Sequence, residues 1–399
     1  ALALLSAFFT KSTEERDHAE WLLLLLTSVL GMSLLPGTRD WVSFFVALET
    51  LSIPAFILVA LDTNREKSLQ AGLKYLLMGA FASAILLMGI ALFYGFSGSL
   101  DFEKTREMLS GPSPVGRALA VTAFLLVSVS LAFKVALAPF HMWAADVYQG
   151  SPTGVAAFLG TATKVSVFAG LMVMLQLTGA YALPEVVKVL MALSMISVVV
   201  GNLVALAQTK IRRMLAYSGV ANAGYAGLAM AAGPESMTSV LVALGLYGAA
   251  LICVLAWTES MISSSGRASH EDVAVSELGE LLAPRSAWMV GSFALAIFSI
   301  AGLPPLPGFL GKYLLLQDIW RAGHVASAAV LVLGSLLGLA YYLRLFMPLF
   351  QAGTSAKSGT RASFGATFAG VLSTILLFAA LLGFSRMTQW VEYVEGFAR

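Results

Sequence analysis

Five ionisable side chains stand inside apolar runs: Glu49 in FVALETLSIP, Lys74 in QAGLKYLLMG, Lys134 in LAFKVALAPFHMW, Lys164 in GTATKVSVF and Lys312 in GFLGKYLLL. Within a membrane helix each costs about 2.5–3.5 kcal/mol on insertion scales, so together they are too costly to be incidental. The chemistry open to them is proton transfer. Desolvation favours a neutral lysine and a nearby carboxylate favours a charged one, so a lysine held between the two can take up and release a proton. Four lysines and one glutamate cannot all be charged and paired, which makes Glu49 the switch: close to Lys134 it holds the proton there, and further away it lets the proton pass on. Ser128, Ser130, Thr161 and Thr163 lie near these positions and could order water, although hydroxyls in membrane helices more often serve helix packing. His141, just after Pro139, is a candidate for proton entry or an interfacial histidine bonded to backbone. Lys74 sits near the polar start of its run, where snorkelling or a structural ion pair explains it equally well.

The elements that must position these residues are membrane helices. The chain of 399 residues is 58% hydrophobic and only 12% charged, with a mean hydropathy of +0.84, which places it among polytopic membrane proteins. Eleven apolar spans are expected, at 20–36, 41–61, 69–96, 116–140, 153–178, 185–208, 211–232, 236–259, 286–320, 323–350 and 364–385. The fold class is therefore all-α. The opening ALALLSAFF reads as the tail of a preceding helix whose start is missing. Loop lysines and arginines, Arg212 and Arg213 among them, weakly favour the side holding 62–68 and 209–213 as cytoplasmic. Two spans should be interrupted, one near Lys134 at Pro139 and one at SIAGLPPLPGFLGKY beside Lys312, because proline removes a backbone donor and clashes with the preceding turn. The breaks lie five helices apart, an odd shift that would relate two halves by inversion in the membrane. The expected organisation is 1–19 as helix tail and loop, 20–178 and 185–350 as five-helix repeats, and 351–399 as loop and final helix.

Other chemistries lack their residues. A single cysteine, Cys253, excludes a disulfide framework and a CxxC cluster site, and four scattered histidines lack the spacing of haem or zinc ligands. There is no glycine-rich phosphate loop, and a net charge of +2 spread over short loops gives no nucleic-acid surface. A small-solute carrier would tolerate broken helices but would gather its polar groups at one site. Lysines distributed over several helices suit a wire better, and a purely structural subunit does not need them.

The runs ALETLSIPAFILVALD, SLQAGLKYLLMGAFASAILLMGIALFYGFSGSL, LAFKVALAPFHMWAADVYQGSPTGVAAFLGTATKVSVFA, ALAQTKIRRMLAYSGVANAGY and FSIAGLPPLPGFLGKYLLL closely resemble, in order and over almost the whole chain, subunit N of bacterial proton-translocating NADH:quinone oxidoreductase (respiratory complex I). HMWAADVYQGSPTGV is the segment most specific for the wider antiporter-like family. The resemblance implies fourteen helices in the family, about three of them preceding this chain, and two inverted five-helix repeats each with a broken helix. It implies Glu49 as the partner of Lys134, Lys164 as the central relay lysine, Lys312 as the lysine towards the exit, and Lys74 as a further buried lysine. It also implies a multi-pass protein of the bacterial inner membrane, held among other membrane and peripheral subunits. NADH, FMN, iron–sulfur clusters and quinone would be handled by those partners and not by this chain. Subunits of multi-subunit Na+/H+ antiporters and membrane-bound hydrogenases share the lysine set. One departure is at YSGVANAGY, where relatives often carry a histidine at the position of Asn222. Asparagine cannot titrate, so a relay from Lys164 to Lys312 would use water, or Tyr225 and Ser218, instead.

Overall fold

Apolar runs of this length leave their backbone one way to satisfy itself in hydrocarbon, the α-helix. The structure, a computed structural model, describes residues 15–109, 111, 114–265, 272–282, 286–348 and 364–383. Among these the chain is helical, with two isolated bridge pairs, Asp40 with Asp101 and Lys210 with Ala274, pinning loops together. The helices are α1 (Glu15–Leu34), α2 (Trp41–Val59), α3 (Glu66–Ser97), α4 (Phe102–Leu109), α5 (Pro114–Lys134), α6 (Ala144–Gly150), α7 (Thr153–Gly160), α8 (Ala162–Leu177), α9 (Pro184–Ala207), α10 (Ile211–Ala232), α11 (Met237–Ser264), α12 (Leu278–Leu282), α13 (Ala287–Ala301), α14 (Pro307–Arg321), α15 (Val325–Phe346) and α16 (Phe364–Leu382).

Eight of the described segments are long and apolar enough to cross a membrane. The span expected at 286–320 is divided into α13 and α14, and α10 is a full-length helix diluted by its Arg212, Arg213, Ser218 and Asn222. The helix tail expected before residue 15 and the loop at 351–363 lie outside the described residues. Local signals set several ends. Asp40 caps α2 by accepting from the Ser43 amide at 2.8 Å, and Pro184 and Pro307 occupy the first turns of α9 and α14, where no amide donor is needed.

Two packing centres hold the bundle. In the first, Trp41 stacks on Phe93 with ring centres 4.1 Å apart and meets Phe102 and Phe124 edge-on. Its indole donates to Thr105 Oγ1 at 3.2 Å, which locks α2 to α3, α4 and α5 at one end. The second surrounds α11, which packs against α13, α14 and α16 and whose stretch from Ala250 to Ala256 is fully buried. A helix apolar on every side must be enclosed by protein or lipid.

The breaks depart from the sequence expectation in detail. Helix α5 ends at Lys134 itself and not at Pro139; Ala136 adopts a left-handed φ of 61°, and regular helix resumes only at Ala144. A further break separates α7 from α8 at Thr161, inside the single span expected at 153–178. The freed backbone groups find partners elsewhere. Trp143 Nε1 donates to the Phe133 carbonyl at 2.9 Å, Ser197 Oγ accepts from the Ala138 amide at 2.8 Å, and Ser299 Oγ accepts from the Gly308 amide at 3.1 Å. Interrupted helices survive in apolar surroundings because of such replacements.

Candidate functional site

Lys134 is the last residue of α5, so its ammonium is carried at the end where unpaired carbonyls concentrate negative partial charge. Its side chain is 2% exposed and its Nζ lies 3.4 Å from Glu49 Oε1 on α2. Nζ also donates to Ser52 Oγ at 2.6 Å. Ser52 gives its own proton to the Leu48 carbonyl one turn back, which leaves its oxygen free to accept. Ser83 of α3 donates to the same Glu49 oxygen at 2.7 Å, and the ring of Phe56 lies 5.4 Å from Nζ. Pro54, inside α2, removes the amide that would otherwise bond the Thr50 carbonyl, next to Glu49. Three helices therefore meet at one carboxylate and one ammonium.

Lys312 occupies an equivalent place at the other break. It projects from α14 back across the gap, and Nζ donates to the carbonyl of Ala301, the last residue of α13, at 2.8 Å and to Ser335 Oγ at 3.0 Å. This crossing depends on Gly302, whose φ of +81° lies in the left-handed region. A Cβ there would stand 2.8 Å from Lys312 Cδ and 3.1 Å from both Cε and Nζ. Both breaks thus set an ammonium against the carbonyl end of a half-helix.

Lys164, 3% exposed, follows the Thr161 break by less than one turn. Its Nζ donates to the carbonyl of Gly219 in α10 at 2.7 Å. Gly219 permits the approach: a Cβ on it would sit 3.1 Å from Nζ, 3.4 Å from the Tyr247 hydroxyl and 3.5 Å from the Tyr148 hydroxyl. The lysine therefore faces a polar seam between α6, α10 and α11.

The remaining candidates lie elsewhere. Lys74, expected to be buried, has a side chain 41% exposed and pairs with Asp146 of α6, which Arg213 also contacts at 2.7 Å. Burial alone would raise the Asp146 carboxyl, but hydrogen bonds and charges from Lys74 and Arg213 hold it below its ordinary value. His141 is half-buried in the gap between α5 and α6, edge-on to Tyr217 with ring centres 6.0 Å apart, and the structure does not bring it to any of the lysines. Thr161 and Thr163 spend their protons on the carbonyls of Ala157 and Leu159 in their own chain segment.

Sequence reasoning missed a buried ion pair. Arg212, assigned above to a polar loop, is 1% exposed, and its guanidinium lies 3.3 Å from Glu259 Oε2. Glu259 also accepts from Thr153 Oγ1 at 2.6 Å, and the Asp272 carboxylate accepts from the Arg212 amide at 3.1 Å. The signal available was Glu259 itself, in the run LICVLAWTES at the end of an apolar span. A lone charge there needs a partner.

A sequence profile of the family described as "NADH:quinone oxidoreductase/Mrp antiporter, TM" matches residues 38–338. The chain is similar to NADH-quinone oxidoreductase subunit 14 of Thermus thermophilus, 41% identical over 350 residues, covering 88% of this chain and 75% of that protein. In structure it is similar to a chain of respiratory complex I from Thermus thermophilus with bound aureothin, with a TM-score of 0.77 at 37% identity, covering 96% of this chain and 82% of that one. A chain of the Mrp complex from Dietzia sp. shares the fold at a TM-score of 0.78 and 22% identity, over 97% of this chain and 79% of its own.

Proposed function

The chain belongs to the NADH:quinone oxidoreductase/Mrp antiporter family of membrane proteins, and we propose that it is the proton-translocating subunit N of a bacterial NADH:quinone oxidoreductase. The observation that carries this reading is the placement of three ammonium groups beside helix breaks, those of Lys134 and Lys164 buried and that of Lys312 part-buried, with Lys134 3.4 Å from the part-buried Glu49 carboxylate. A break supplies unpaired carbonyls and access for water, and a lysine beside it has a reason to change protonation state.

The path runs from Glu49 and Lys134 to Lys164 and then to Lys312. With Glu49 close, Lys134 holds its proton. Withdrawal of Glu49 leaves the ammonium with Ser52 and the α5 carbonyl end alone, and the proton moves to the next lysine. Lys74 and His141 lie off this line; Lys74, joined to Asp146 and Arg213, holds α3 to α6 and α10 at one end of the path. Residues 20–178 and 185–350 act as two inverted repeats, a reading supported by the matching position of an ammonium at the end of a half-helix in each. The lone Cys253 cannot ligate an iron–sulfur cluster. NADH oxidation, flavin, clusters and quinone reduction therefore sit in partner subunits, and this chain responds to them through its membrane neighbours.

The test is the assembled complex carrying Lys134→Ala. Protons moved per NADH oxidised in inverted membrane vesicles should fall while the subunit remains present at normal level. An unchanged ratio in a fully assembled Lys134→Ala complex removes Lys134 from the path. Co-purification with NADH-oxidising and quinone-reducing subunits checks the assembly; recovery with antiporter subunits alone would assign the chain to the other branch of the family.

A further inference from the structure

The reading of the lysines as a proton path leaves the stretch from Lys164 to Lys312 to be filled, and Asn222 does not fill it, since its amide is spent on the Ser218 carbonyl at 2.9 Å. Another group of side chains occupies that stretch. Ser218, Tyr342, Tyr341, Asn202 and Tyr225 are each at most 2% exposed and come from three helices, α9, α10 and α15. Many buried hydroxyls among the described residues give their proton to the carbonyl one turn back, as Ser194, Thr178 and Thr258 do. Here Ser218 pairs with Tyr342 instead, and Tyr341 and Tyr225 are joined through Asn202. Ser218 Oγ is hydrogen-bonded to the Tyr342 hydroxyl and lies 3.5 Å from that of Tyr247, which flanks the Lys164 site. The Tyr341 ring packs against that of Tyr342 with ring centres 4.4 Å apart, and its hydroxyl donates to Asn202 Oδ1 at 3.2 Å. Asn202 Nδ2 donates to the Tyr225 hydroxyl at 3.0 Å. At the far end Lys312 Nζ stands 5.5 Å from the centre of the Tyr225 ring. Burying a polar group without a partner is costly, so side chains from three helices that satisfy one another's hydrogen bonds form a built network and not residue left by packing.

We propose that Ser218, Tyr342, Tyr341 and Tyr225 form the hydroxyl relay that carries the proton from Lys164 to Lys312, with Asn202 as its positioning residue. The inference rests on the assignment of those two lysines to the path. In each hop an oxygen accepts one proton as its own passes to the next oxygen. One proton leaves the Lys164 ammonium, one arrives on the Lys312 amine, and no group between them keeps a charge; rotation of the hydroxyls restores the starting order. An amide could join such a hop only by becoming its imidic acid, so Asn202 stays outside the transfer. Its Nδ2 is fixed by a second bond to the Val198 carbonyl at 2.8 Å, which turns Oδ1 to Tyr341 and Nδ2 to Tyr225. It thereby sets the two hydroxyls on either side of its amide, and the proposed relay includes one water molecule to pass the proton between them.

The experiment uses the whole complex in inverted vesicles, with protons moved per NADH oxidised as the readout and Lys164→Ala and Lys312→Ala as references. Tyr341→Phe with Tyr342→Phe keeps both rings and removes both hydroxyls. The expected ratio falls to that of Lys312→Ala at normal subunit content. Asn202→Leu should lower the ratio as well, and Asn202→Ser, which restores a hydrogen-bonding group at that position, should recover it, a rescue that a packing role would not give. A normal ratio in the double tyrosine variant, with both lysine variants impaired, overturns the relay and leaves the lysine path standing. Normal ratios in both lysine variants overturn the path and the relay with it.

Discussion

Gly302→Ala changes no titratable group and no hydrogen-bond donor, yet it should disable Lys312. The backbone effect is the cost of a left-handed conformation for an L-residue, about 1–2 kcal/mol at the φ of +81° observed. The steric effect is larger in its consequence. The new Cβ would stand 2.8 Å from Lys312 Cδ and 3.1 Å from Nζ, whereas carbon contacts settle at about 3.5–4.0 Å, so the side chain must retreat by roughly 1 Å. That retreat pulls Nζ from Ala301 O and Ser335 Oγ, charge-assisted bonds worth about 1.5–3 kcal/mol each. A misplacement of about 1 Å at a reacting group slows transfer on the order of a hundredfold. The measurement is protons moved per NADH oxidised, with subunit content as the assembly check. Gly98→Ala is the control, because Gly98 has a φ of 65° but no atom within 4 Å of its Cβ position. It carries the same kind of backbone cost without touching a lysine and should pump normally. A normal ratio in Gly302→Ala, alongside a depressed one in Lys312→Ala, would refute the argument that close approach at this glycine positions the ammonium.

Lys312→Arg should also lower the pumping ratio, since a guanidinium keeps its proton at any physiological pH; normal pumping would make residue 312 a fixed charge. Arg212→Met should destabilise the subunit by about 3–5 kcal/mol, because it leaves the Glu259 carboxylate buried without its guanidinium; thermal unfolding or loss of the subunit from the purified complex measures this. The Asp146 carboxyl is held low in the folded protein, so the stability it contributes is present above its unfolded value of about 3.9 and is lost only as pH falls through the lower folded value. Thermal stability of wild type and Asp146→Asn should therefore differ at pH 7, still differ at pH 5, and converge only as pH falls below about 3.9; a gap that persists unchanged well below that pH would exclude the ion pairs with Lys74 and Arg213 as its source.

Much of this molecule was legible in the chain alone, and for a physical reason. A charge in hydrocarbon is expensive wherever the helix around it points, so Glu49, Lys134, Lys164 and Lys312 stood out from composition before any contact was known. Apolar length set the helices, and proline marked the neighbourhood of two breaks. Where the first helix stops was not legible. It ends at Lys134, ahead of Pro139, where a carbonyl and an amide of the gap are taken up by Trp143 and Ser197, partners 10 and 59 residues away along the chain. The break at Thr161 carries no proline at all.

Partnership belonged to the tertiary structure. Lys74 and Lys134 both stand in apolar runs, Lys74 nearer a polar start, but which carboxylate each meets, Asp146 for Lys74 and Glu49 for Lys134, only the fold decides. Arg212 read as a loop charge until α11 brought Glu259 to it. Tyr225 and Ser218 read as hydrogen-bond partners for the relay and Tyr341 and Tyr342 gave no signal, and only the packing of α15 against α9 and α10 brings Tyr341 to Tyr225 through Asn202 and Tyr342 to Ser218. The cost of burying a group depends on that group and its solvent, so the sequence by itself determined which residues had to be explained. A hydrogen bond depends on two groups brought within about 3 Å by helices far apart in the chain, so only the fold decided what each residue was there to meet.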